Sequence, residues 1–195
     1  MTAIRARFKR IILVTILVMG TLPSFAQTLT EEQKFYREQF AGWGGIVFRC
    51  LPDNPEDYLQ KRLCSDAAVK ARFLAAAAKV PFRDVGSEDY FSVTMAAIKL
   101  NNALVLEATI RATQVGNPRG VLMRLDAGSF YSDAIEKSAK AGTPESVPRS
   151  GTLSLWDKSV IGASTMGGND LQVGMSNAFA TVLEEFFAIF VESRN

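Results

Sequence analysis

Residues 104–113, LVLEATIRAT, alternate between apolar and more polar side chains, and this stretch decides the fold class. Every second side chain of a strand lies on the same face, so a period of two predicts a strand with one buried and one wetter face. Such a pattern is typical of an antiparallel sheet rather than a parallel one. The buried face would carry Leu104, Leu106, Ala108, Ile110 and Ala112, and the wetter face Val105, Glu107, Thr109, Arg111 and Thr113.

Other stretches predict the rest of the sheet. Residues 90–99 indicate a strand, because their odd positions from 91 to 97 are apolar. The pair Asn101-Asn102 tolerates positive φ and would join this strand to residues 104–113 through a two-residue hairpin. The turn signal Gly116-Asn117-Pro118 leads into a third strand of a meander. This third strand is residues 121–126, and further strands are expected at residues 46–50 and 152–161.

Helices are predicted on either side of these strands. Thr30 and Gln33 fit a capping box, which predicts a helix over residues 31–40. Asn54 before Pro55 is a usual entry to a helix, here over residues 56–79, either continuous or broken near residues 64–66. The strongest helical pattern covers residues 170–193, and its wide apolar stripe would pack across a sheet. The stripe consists of Leu171, Met175, Phe179, Val182, Leu183, Phe186, Ile189 and Phe190.

These elements predict an α+β fold. We expect a two-layer sandwich with an antiparallel or mixed sheet of four to five strands, helices packed on one face, and an amphipathic C-terminal helix. Residues 27–195 would form a single domain. Residues 132–151 contain Ser, Lys, Ala, Gly and two prolines, and they predict a long loop that is either a binding arm or disordered.

The first 26 residues have the pattern of a cleaved secretory signal peptide. Four basic residues (Arg5, Arg7, Lys9 and Arg10) precede an apolar run at residues 11–19 and the small residues before Gln27. The apolar run is too short for a membrane anchor, so we expect a mature protein in the periplasm or outside the cell, with no transmembrane segment after signal cleavage. Cleavage would lower the Lys+Arg count from 22 to 18 against 20 Asp+Glu. No basic run would remain, and we expect no nucleic-acid partner.

Cys50 and Cys64 are the two cysteines of the chain. In an oxidising compartment such a pair predicts a disulfide, with two free thiols as an alternative. A redox pair of the thioredoxin kind would need the C-x-x-C spacing, which these residues do not have.

Histidine is absent from the whole chain. This excludes Ser-His-Asp triads, Cys-His dyads, H-E-x-x-H zinc sites and haem ligation by histidine. We therefore expect no catalytic residues, no metal site and no cofactor. An enzyme, if this is one, would be a hydrolase that works with carboxylates.

Five side chains are candidates for binding. Glu107, Arg111, Arg124 and Asp126 fall on the wetter face of predicted strands and either line a polar ligand site or pair with one another across strands. Trp43, in the loop Gly42-Trp43-Gly44-Gly45, is either an interface anchor or a core residue that fixes the loop.

The sequence favours an exported, non-catalytic envelope protein that acts by protein–protein binding. Its partner would be another envelope or secreted protein. The alternative is a periplasmic small-molecule-binding or sensory domain, with a pocket between helix and sheet or on the face that carries Glu107, Arg111, Arg124 and Asp126. A carboxylate hydrolase without histidine is the third hypothesis.

Overall fold

The strands and helices follow the predicted order except that a short strand is added at Phe82–Asp84 and a helix replaces the strand expected at residues 90–99. A computed structural model describes residues 31–101, 103–113, 118–131, 151–165 and 168–194. Its helices are α1 (Glu31–Phe40), α2 (Tyr58–Ala77), α3 (Tyr90–Lys99) and α4 (Gly168–Glu192). Its strands are β1 (Ile46–Pro52), β2 (Phe82–Asp84), β3 (Leu104–Ala112), β4 (Arg119–Tyr131) and β5 (Gly151–Ser164).

The sheet is mixed and has the strand order β2-β1-β3-β4-β5. Strands β2, β1 and β3 run parallel to one another, and β3, β4 and β5 form an antiparallel meander. The α+β class, the five-stranded sheet and the long C-terminal helix are therefore confirmed. The alternation in residues 104–113 identified β3, which lies where the parallel and antiparallel halves meet.

The prediction of a strand at residues 90–99 is wrong, because these residues form helix α3. Asp89 caps the helix, and its side chain accepts a hydrogen bond from the Ser92 amide at 2.9 Å. The buried side chains Val93, Ala96 and Ala97 are three and four residues apart, which is the spacing of one helix face. The hairpin expected at Asn101-Asn102 is also wrong: Asn101, at φ 58°, follows the end of α3.

Helices α2 and α3 lie on opposite faces of the sheet. Helix α2 connects β1 to its neighbour β2, and α3 connects β2 to β3 on the other side of β1. Crossovers between parallel strands are right-handed, so two connections that run in opposite directions along the sheet place their helices on opposite faces. Helix α3 covers a small second core with Val47, Val85 and Val105.

The main core lies between the sheet and helices α1, α2 and α4. Helix α4 buries the predicted stripe, with Phe179, Phe186 and Phe190 fully enclosed. Phe186 contacts Phe40 of α1 and Trp156 of β5, at ring-centroid distances of 5.5 Å in both cases. By length and composition α4 is the one described helix that is apolar enough to cross a membrane, a test that core helices also pass.

Helix α2 is continuous across residues 64–66 and begins later than predicted. Its N-cap is Asp57 rather than Asn54, and the Asp57 carboxylate accepts hydrogen bonds from the amides of Leu59 and Gln60. The predicted disulfide is confirmed: Cys50 of β1 and Cys64 of α2 are bonded, with their Cα atoms 5.6 Å apart.

Two predicted segments lie outside the described residues. These are the signal peptide at residues 1–26 and the loop at residues 132–150; residue 151, the last of the predicted loop, begins β5.

Candidate binding surfaces

A row of charged side chains crosses the sheet on the face turned away from α1, α2 and α4, which we call the open face. The register places Arg49 of β1 opposite Glu107 of β3, Glu107 opposite Asp126 of β4, and Asp126 opposite Asp157 of β5. Two of the predicted candidates, Glu107 and Asp126, are therefore direct neighbours. Arg49 and Asp157 join them from strands far away in the sequence.

Arg49 and Glu107 form the buried end of this row. The Nε atom of Arg49 donates a hydrogen bond to Glu107 Oε2 at 2.7 Å, and the Nη2 atom donates to the same oxygen. The guanidinium also lies 4.8 Å from the centre of the Tyr90 ring, at the start of α3. Arg49 is only 6% exposed. A buried charge must be paired, and Glu107 supplies the opposite charge for Arg49. The contact of the guanidinium with the Tyr90 ring also fixes α3 to the sheet.

Arg124 pairs with the two carboxylates at the exposed end of the row. Its Nη2 atom lies 3.4 Å from a carboxylate oxygen of Asp126 and 3.4 Å from one of Asp157. The Ser154 hydroxyl donates a second hydrogen bond to Asp126, at 2.7 Å. The carboxylates of the row thus have cationic partners within the sheet, the arrangement of cross-strand charge pairing.

Arg111 lies on the same face but apart from the row. It is paired in register with Leu122 of β4, which is paired in turn with Ile161 of β5. Four residues of strand separate it from Glu107, or roughly 13 Å. The register therefore brings together three of the four predicted polar candidates and leaves Arg111 next to Leu122, with the exposed Ile161 one strand further away.

Trp43 anchors the loop between α1 and β1. Its ring is half-buried against the main core, and its Nε1 atom donates a hydrogen bond to the carbonyl of Gln39 at 3.0 Å. The neighbouring Gly44 lies so close to the backbone after α3 that a Cβ atom there would overlap the carbonyl of Asn101. The glycines of this loop therefore permit close packing, and a binding role for Trp43 remains a prediction.

Helix α3 presents an apolar stripe to solvent. Phe91 is 74% exposed and Ile98 is 58% exposed, with the partly exposed Met95 between them. These positions are four and three residues apart and so share one side of the helix. The other side of α3, with Val93 and Ala97, is buried against the sheet.

A groove runs between this stripe and the edge strand β2. It has a volume of about 300 Å³. Its floor is apolar, and its rim carries charged side chains from β2, the β2–α3 loop and the end of α3. The lining residues are Arg83, Glu88, Phe91, Ser92, Met95, Ala96 and Lys99.

A second hollow lies where α2 and α4 begin, with a volume of about 540 Å³. Arg119, at the start of β4, donates from Nη2 to the carboxylate of Asp57, so the N-cap of α2 is also half of an ion pair. Tyr58 beside this pair is largely exposed. The lining residues are Asn54, Glu56, Asp57, Tyr58, Leu59, Arg119, Asn169 and Gln172.

The α3 stripe and the groove do not follow from the alternation of residues 90–99, which predicts a strand. Two signals in the sequence point to the helix. Asp89 stands three residues before an amide that it can cap, and the apolar Ala96 falls at an even position that an alternating strand would expose.

The fold and these surfaces define an α+β domain with a disulfide and a solvent-exposed groove that is lined by apolar and charged side chains. The disulfide points to an oxidising compartment, such as the cell envelope. No known family model matches the chain, and no curated protein matches it.

Among solved structures the chain is similar to a variant of PelC from Paraburkholderia phytofirmans, which was solved as a dodecamer. The identity is 14% and the TM-score 0.40, over 79% of this chain and 93% of that chain.

Proposed function

We propose that this chain is an exported protein of the cell envelope that acts by binding another envelope or secreted protein. The observation that carries the proposal is the exposed apolar stripe of α3, with Phe91, Met95 and Ile98 next to an open groove. An aromatic side chain and a methionine surrounded by charged residues are a composition typical of protein interfaces. The export part of the proposal is supported by the disulfide and by the signal-peptide pattern of residues 1–26.

Burial on binding would stabilise the complex through this stripe. Removing an exposed Phe91 side chain from water is favourable by roughly 1.5–3 kcal/mol when its burial is complete. Ordering α3 on binding adds only a small unfavourable free energy, because the helix is already fixed to the sheet. Its buried side and the contact between Arg49 and Tyr90 hold it there.

Photo-crosslinking in intact cells tests the proposal. A photoreactive phenylalanine analogue replaces Ile98 on α3 or, as a matched control, the equally exposed Val69 on α2. We expect a discrete protein adduct from position 98 that is absent from position 69. The same adducts from both positions, or no adduct from position 98, would contradict protein binding through α3.

The hollow between α2 and α4 favours a second candidate function, the binding of a small polar molecule. Its residues supply an aromatic ring at Tyr58, side-chain amides and the ion pair of Asp57 with Arg119. A ligand that binds only the folded protein raises its melting temperature. If this candidate is right, one member of a panel of polar metabolites will raise the melting temperature by several degrees, and replacing Tyr58 with alanine will abolish the rise. No rise with any member leaves α3 as the functional surface.

A further inference from the structure

The outer edge of β2 has backbone groups with no partner among the described residues. The Pro81 carbonyl accepts a hydrogen bond from β1 at 2.9 Å, and the Val85 amide donates one to β1 at 3.0 Å. Neighbouring residues of a strand direct their N–H and C=O groups to alternate sides. The N–H and C=O groups of Phe82 and Asp84 therefore face away from β1, at the free edge of the sheet.

The side chains of β2 alternate between the two faces of the sheet, and one of these faces borders the groove. Arg83 is in register with Val47, whose side chain belongs to the core under α3, and Arg83 itself lines the groove. Asp84 lies on the opposite face, where it pairs with Arg72 of α2 at 3.0 Å. A strand next to β2 would thus direct alternate side chains toward Phe91.

The rim of the groove is more basic than acidic. Arg83 and Lys99 have no ion-pair partner among the described residues, and Glu88 is the single acidic lining residue. The floor between them is formed by Phe91, Met95 and Ala96. A complementary segment therefore carries an apolar side chain for the floor and a carboxylate for the rim.

We infer that the groove binds an extended segment of the partner protein, which adds to the edge of β2 as a further strand. The segment places an apolar side chain against Phe91 and Met95, and a carboxylate near Arg83 and Lys99. Main-chain hydrogen bonds to Phe82 and Asp84 supply affinity, and the groove supplies specificity, as in other cases of strand addition. This inference rests on the proposed function and adds the mode of binding and the chemistry of the partner segment.

Selection from a library of random decapeptides displayed on phage tests the inference. The bait is the full-length gene product, isolated from the envelope fraction of expressing cells with its disulfide intact. We expect enriched peptides in which apolar residues alternate with other residues and at least one Asp or Glu is present. Bound peptide should slow amide hydrogen exchange at Phe82 and Asp84, while the Arg83 amide, already directed toward β1, changes little.

Variants decide whether these peptides occupy the groove. Phe91→Ser should weaken binding by about tenfold, and the matched control Phe73→Ser, at a 66% exposed phenylalanine of α2, should leave affinity unchanged. The double variant Arg83→Glu/Lys99→Glu should prefer basic peptides. Each variant is compared with the parent by circular dichroism, so that a loss of folding is recognised separately.

The outcomes separate this inference from the proposed function. Peptides with apolar residues at helical spacing, still sensitive to Phe91→Ser, would overturn strand addition and leave protein binding through α3 in place. Failure to enrich any peptide that depends on Phe91 would overturn strand addition as well. Crosslinking at position 98 then decides independently whether α3 binds a protein at all.

Discussion

Arg49 is the residue on which two parts of the molecule depend. Its guanidinium donates to Glu107 and lies over the Tyr90 ring, so it links the sheet to α3. In Arg49→Met the partly buried carboxylate loses its cation, and we expect the free energy of unfolding to fall by about 1–3 kcal/mol. Urea denaturation followed by circular dichroism measures the change.

Arg111→Met is the matched control for this prediction. Arg111 is exposed, lies on the same strand as Glu107, and forms no ion pair with the described residues. A substitution at such a surface position should change the free energy of unfolding by no more than about 0.5 kcal/mol. Equal losses in the two variants would show that the contact with Glu107 contributes nothing to stability.

The carboxylate of Asp89 tests whether residues 90–99 are helical in solution. It accepts a hydrogen bond from the Ser92 amide, and the loss of an N-cap side chain destabilises a helix by about 1 kcal/mol. We therefore expect Asp89→Ala to lower the midpoint of urea denaturation, whereas Asp53→Ala, at an exposed aspartate outside the helices, should not. A strand at these residues would have no cap to lose, so an unchanged midpoint would contradict α3.

At the scale of the element, the disulfide joins β1 to α2 across 14 residues of sequence. A cross-link over a loop of this length should stabilise the fold by roughly 3 kcal/mol, mainly by restricting the unfolded chain. Adding a reductant should therefore lower the melting temperature of the parent but not that of the double variant Cys50→Ala/Cys64→Ala. Alkylation of both thiols without reductant, detected by mass spectrometry, would refute the disulfide.

The elements that could be predicted from sequence are those whose pattern fits only one period. In β3 the apolar positions repeat at every second residue through five members, and no helix has that spacing. In residues 90–99 the pairs Phe91/Met95 and Val93/Ala97 are each four residues apart, a spacing that places two side chains on one face of a strand and equally of a helix. The capping residue Asp89 and the buried Ala96 distinguish the helix from the strand.

The candidate site also contains residues that the sequence predicts and residues that it does not. The alternation in β3 and β4 predicts that Glu107, Arg124 and Asp126 share a wetter face, and the register adds that they lie close together. Arg49 could not be predicted, because it comes from β1, 58 residues away from its partner. The groove depends on α3 and β2 together, and the three residues of β2 are too short a strand to leave a clear period.

At the scale of the whole molecule, the two faces of the sheet carry different helices and different cores. The face with α1, α2 and α4 holds the large aromatic core, and the other face holds α3 and the charged row. The groove residues Arg83, Phe91 and Lys99 are exposed and belong to neither core, so their substitution should leave both cores intact. This separation allows the binding variants and the stability variants to be interpreted independently.

Phe186 tests this division of the molecule. Its ring contacts Phe40 of α1, Trp156 of β5 and Phe190 of α4, and it is fully buried. Phe186→Ala should lower the free energy of unfolding by about 3–5 kcal/mol, because it removes a buried ring and leaves a cavity. Phe91→Ala, at an exposed ring on the other face, should change it by less than about 0.5 kcal/mol. If both variants unfold at the same urea concentration, the ring of Phe91 is buried in solution and the α3 stripe is not a free surface.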